Sequence, residues 1–135
     1  MEPEEKLPKY LLLKSKLSGK EFGWKKNDFP LVIDSAVKNN LAIIGGQVQF
    51  IFDDGTCELY WKKYDTNTKS PTENWNQYVE RTAKECIKQF NDISDEDILV
   101  KEGIDNFYFL KEKANYKNVN LKEHLWFILY LKEEN

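Results

Sequence analysis

Residues 70–92 read SPTENWNQYVERTAKECIKQFND, and this stretch decides how the rest of the chain is understood. Ser70 offers a hydroxyl to cap a helix, Pro71 suits a first helical position, and Glu73 completes an S-x-x-E capping box. Apolar residues then recur at Trp75, Tyr78, Val79, Ala83, Cys86, Ile87 and Phe90. That spacing is the rhythm of a helix burying one stripe. The opposite side carries Asn76, Gln77, Glu80, Arg81, Lys84, Glu85 and Lys88. A helix so divided needs an apolar surface to lie on, and the segments around it are expected to form a sheet.

Working outward, residues 41–44 (LAII) form a short apolar run, and Gly45-Gly46 interrupts it. The next six residues alternate, with Val48, Phe50 and Phe52 on one face. Asp53-Asp54-Gly55 is a hairpin signal, and residues 57–64 (CELYWKKY) return as the partner strand. The glycine pair predicts a bulge or a close approach of another backbone.

Further out, residues 1–9 carry Pro3 and Pro8 and predict a frayed tail, followed by one domain over 10–135. Residues 10–17 (YLLLKSKL) predict a first strand. Asn27 or Asp28 can cap a short helix with Pro30 in its first turn, and Asn39-Asn40 can stop it. The phenylalanine alternation of residues 106–113 predicts a strand, and residues 124–132 (HLWFILYLK) predict a last strand buried on both faces. The expected fold is α+β, with about five largely antiparallel strands and two helices on one face.

The totals narrow the function. The chain has 135 residues and a net charge of −3, so a phosphate-neutralising nucleic-acid surface is not favoured. A mildly acidic protein suits a basic partner. The acidic start resembles no signal peptide, and no apolar run reaches membrane-spanning length, so a cytoplasmic location is expected. Cys57 and Cys86 lack zinc spacing and are expected to be free, although a disulfide between them stays open.

No reactive constellation stands out. His124 is the only histidine, and its neighbour Glu123 would point to the opposite sheet face. The run Asp92, Asp95, Glu96, Asp97 lacks the spacing of a calcium loop. Neither a metal nor a cofactor is expected. The notable feature is a set of acids and aromatics on the hairpin: Asp53, Asp54, Glu58, Tyr60 and Tyr64. Rings give rigid contact area and carboxylates steer a basic surface, so these residues, with Asp95, Glu96 and Asp97, are the candidate binding set. Two other readings stay open: a small α+β enzyme using His124, and a self-associating module using exposed aromatics.

Several of these residues also form a pattern. Phe22-Gly23-Trp24 is followed by Ile43-Ile44-Gly45-Gly46-Gln47-Val48, then Trp61, then Trp75-x-x-Tyr78-Val79-x-Arg81-Thr82. Residues 22–90 thereby resemble a family of small bacterial immunity proteins encoded beside polymorphic toxins of the contact-dependent inhibition type. Gln47 stands where the pattern expects an aspartate, and Thr82 where serine is usual. The resemblance implies a non-enzymatic antitoxin, monomeric by expectation. It would bind a cognate toxin domain, often a nuclease, and block its active site. It does not say which residues make contact.

Overall fold

The last strand is the axis of the sheet, because it alone is apolar on both faces. The computed structural model describes residues 2–135. In chain order, a 3-10 turn at Pro3–Lys6 leads to α1 (Lys9–Leu12), β1 (Lys16–Ser18), β2 (Glu21–Trp24) and α2 (Phe29–Lys38). Then come β3 (Ala42–Gly45), β4 (Gln47–Phe52), β5 (Gly55–Lys63), α3 (Trp75–Ile93), α4 (Glu96–Asn106) and α5 (Tyr108–Tyr116). A second 3-10 turn, Leu121–His124, enters β6 (Leu125–Lys132). The architecture is α+β, and every paired strand is antiparallel to its neighbour.

The strand order is β1-β2-β6-β4-β5, with β3 also on β6. Strand β6 pairs with β2 through Trp24↔Phe127 and with β4 through Val48↔Phe127. Strands β2 and β4 therefore run parallel on either side of β6, joined through α2. Strand β3 continues the line of β4 along the far half of β6, and the line breaks at the glycine pair. Both expectations for that pair hold. The register shifts there, and a Cβ on Gly46 would lie 1.9 Å from the carbonyl oxygen of Ile128. Gly45 has φ +151°, a conformation that a side chain disfavours.

One face of the sheet carries Trp24, Val48, Phe50, Cys57, Leu59, Leu125 and Phe127, all buried. The helices cover it. Phe29 of α2 stacks on Phe90 of α3 with ring centres 4.3 Å apart, and Phe90 meets Phe127 edge-on at 5.0 Å. Each such side chain contributes roughly 1.5–3 kcal/mol by leaving water. Helix α4 approaches closely because Gly103 has no side chain: a Cβ there would sit 3.0 Å from the Phe50 ring. Among the described residues, no helix is long and apolar enough to cross a membrane.

The structure corrects four expectations. The supposed tail is docked: Leu7 is buried, and the buried Glu4 carboxylate accepts the Leu131 amide at 2.7 Å. Met1 lies outside the described residues. Residues 10–17 divide between the end of α1, a turn at 13–14 and the start of β1, so a strand begins only at Lys16. Leu11 turns inward, and its carbonyl accepts the Trp24 indole at 2.8 Å. The main helix begins at Trp75, four residues late. Asn74 and Gln77 form the working capping box, while Glu73 accepts the Ser70 amide in the preceding turn. Residues 106–113 are largely α5. Its Leu110 and Lys113 are buried three residues apart, a helical spacing that short phenylalanine alternation conceals. The sheet has six strands among the described residues, in keeping with the about five expected, whereas the helices outnumber the two foreseen.

Candidate functional site

The candidate binding residues divide by place and by availability. Asp53 is exposed in the two-residue turn between β4 and β5, and Glu58 and Tyr60 are exposed on β5. Tyr60 is 68% exposed. Asp54 is already engaged, with its carboxylate 3.0 Å from the ammonium of Lys113. That bond holds its carboxyl below the usual carboxylate range. Lys113 is itself only 8% exposed and lies 4.6 and 4.8 Å from the ring centres of Phe52 and Phe109. Lysine buried among rings needs this counterion.

Tyr64 does not belong to a surface. It is fully buried, its hydroxyl donates to the Ile128 carbonyl and to that of Gln47, and its ring edges Phe29 at 5.2 Å. Burial pushes its phenol well above the ordinary value. The glycine pair lets β6 come close enough for this hydroxyl to reach its carbonyl. Asp95, Glu96 and Asp97 form the start of α4. Asp95 caps it by accepting the amides of Asp97 and Ile98, and Asp97 pairs with Lys122. Glu96 lines a cavity shared with Lys25, Lys26 and Lys122. Local cations therefore balance this second acidic group.

The sequence reading missed the residues that surround Glu58. On the sheet face opposite the helices, Gln47 and Gln49 of β4 lie between Glu21 of β2 and Glu58 of β5. The Gln47 amide nitrogen donates to Glu58 at 3.0 Å and to the Tyr130 hydroxyl at 2.8 Å. The Gln49 amide nitrogen donates to Glu21 at 3.2 Å and to Glu58 at 3.4 Å. Tyr130 donates in turn to Glu21. Burial and that hydrogen bond push its phenol up to about 12. The available signal was two glutamines alternating with Val48 and Phe50, which places them together on the other face.

His124 lines a cavity of about 430 Å³, with Asp53, Glu123, Lys113 and Trp126 among its other walls. Its ring stacks on Phe52 at 4.4 Å, and Nδ1 lies 3.2 Å from the Ile51 carbonyl oxygen. No carboxylate among the described residues hydrogen-bonds to this ring. Both cysteines are free and buried, and burial pushes the Cys86 thiol up to about 12.

The residues of the sequence pattern are mainly structural. Trp24 is buried, and Trp75 donates its indole to the Asn40 carbonyl at 2.9 Å. The Thr82 hydroxyl accepts the Ile43 amide at 3.0 Å, tying α3 to the free edge of β3. Arg81 spends all its donors inside the chain, on Glu73, Glu85 and the carbonyls of Asn67 and Thr68.

No curated protein and no solved structure matches this chain. A family model described as Immunity protein 40 matches residues 13–104, which is most of the sequence. The chain belongs to the Immunity protein 40 family.

Proposed function

We propose that this protein is a cytoplasmic, non-enzymatic antitoxin that neutralises a toxin domain encoded beside it in a contact-dependent inhibition system. Family membership is the observation that carries the reading. The toxin is of nuclease type, with a basic cleft made for phosphates, and the inhibitor occludes that cleft. The hairpin β4–β5 and the sheet face beside it supply the surface. There Asp53, Glu58 and Tyr60 are exposed, and a net charge of −3 favours encounter with a basic protein. His124 serves the fold by stacking on Phe52, which agrees with a binding role.

The test is co-expression with the C-terminal domain of the toxin encoded next to it. Cells producing both proteins should grow, and a tagged immunity protein should carry the toxin domain through purification. Continued killing with no co-purification would overturn the reading.

A further inference from the structure

Glu21 and Glu58 are two carboxylates held on one sheet face without a cation. None of the ion pairs among the described residues includes either of them. They are close enough to share one donor, the amide nitrogen of Gln49. That nitrogen must face them, because turning the amide over would set its oxygen against two negative groups. The Gln49 carbonyl oxygen is consequently left alone. Gln49 is 2% exposed, and this oxygen is the one buried side-chain atom among the described residues with no hydrogen-bond partner. A buried acceptor beside two unpaired acids is costly in the free protein.

We propose that this cluster is the receptor for an arginine side chain of the toxin domain, and that Glu21, Gln49 and Glu58 are its specificity-determining residues. The inference rests on the toxin-binding reading above. A guanidinium carries five donors in a planar fork and one positive charge, and it can bridge the two carboxylates that the Gln49 amide nitrogen holds side by side. An ammonium offers no such fork. Tyr130 and Gln47 fix the carboxylates from behind through the hydrogen bonds to Glu21 and Glu58. The half-buried Trp126, opposite Gln49 across the strand pair, adds an aromatic wall. Tyr60 stands two residues from Glu58 on β5 and extends the surface.

The experiment is calorimetric titration of the full chain with the adjacent toxin's C-terminal domain, for the wild type, Glu21→Gln, Glu58→Gln and the double variant. Glutamine keeps the shape and one acceptor oxygen while removing charge. The double variant should bind on the order of 100-fold more weakly, each single about 10-fold, and melting temperatures should not fall. Glu80→Gln, on the exposed side of α3, should bind as the wild type does. Should the double variant prove unstable, Glu58→Gln alone decides, because Glu58 is exposed. Wild-type affinity in a folded charge-removed variant overturns the arginine receptor while leaving toxin binding intact. Failure of the wild type to bind overturns both.

Discussion

Arg81 grips Glu73 with two prongs: Nε lies 3.0 Å from one carboxylate oxygen and Nη2 lies 2.7 Å from the other. The same guanidinium reaches Glu85 one turn along α3 and two carbonyls of the 67–68 loop. It fastens the long connection after β5 to the helix that covers the sheet. Lysine cannot reproduce a planar fork. Arg81→Lys should lower stability by about 1–3 kcal/mol, read as a lower midpoint in urea, and leave toxin affinity unchanged. A large loss of affinity with normal stability would show that Arg81 contacts the toxin instead.

The same pair sets the response to acid. The Arg81 hydrogen bond holds the Glu73 carboxyl at about 2, against an ordinary value of 4.5. A depressed folded value means that the ion pair stabilises the protein fully above pH 4.5. That contribution declines as pH falls from 4.5 toward 2. Thermal melts of Glu73→Gln should therefore show a smaller drop across this window than the wild type. Equal slopes for the two proteins would contradict the assignment.

Gly46 is the tightest point in the sheet. Its missing Cβ would meet the Ile128 carbonyl at 1.9 Å and the Tyr64 ring at 2.6 Å. Backbone oxygen cannot yield as a flexible side-chain end can. Gly46→Ala should cost more than about 4 kcal/mol and leave little folded protein, read by circular dichroism. A folded Gly46→Ala with a near-native melt would mean that β3–β4 and β6 are not this close.

Cys57 and Cys86 are buried, and burial raises both thiols from their ordinary value. Since the thiolate is the reactive form, a thiol reagent should label neither residue in the native protein near pH 7.5 and both in denaturant. Rapid labelling of Cys86 in the native protein would contradict the packing of α3 on the sheet.

Sequence patterning carried far where one physical signal dominated. The stripe of α3, the hairpin at Asp53-Asp54 and the doubly apolar β6 were all legible, because burial of one face or two writes a clear period. The α3 start was misplaced because Ser70 and Asn74 both precede an acceptable box, and only packing of Trp75 against Asn40 chooses between them. Helix α5 was hidden because alternate phenylalanines serve a strand and a helix equally over so few residues. The candidate site was half legible. Glu58 and Tyr60 could be read from an acid–aromatic hairpin. Glu21 and Tyr130, 109 positions apart in sequence, meet only through the strand order β2-β6-β4. Tyr64 looked like a surface aromatic because nothing local shows that β6 would bring a carbonyl to its hydroxyl.

The central claim is that the sheet face opposite the helices, with the β4–β5 hairpin, is the toxin-binding surface. Hydrogen–deuterium exchange of the full chain, alone and saturated with the toxin domain, tests it most directly. The account predicts added protection in β2, the hairpin and β5 around Glu58 and Tyr60, with the exposed side of α3 unchanged. Protection confined to α2 and α3, with the hairpin exchanging as in the free protein, would contradict it.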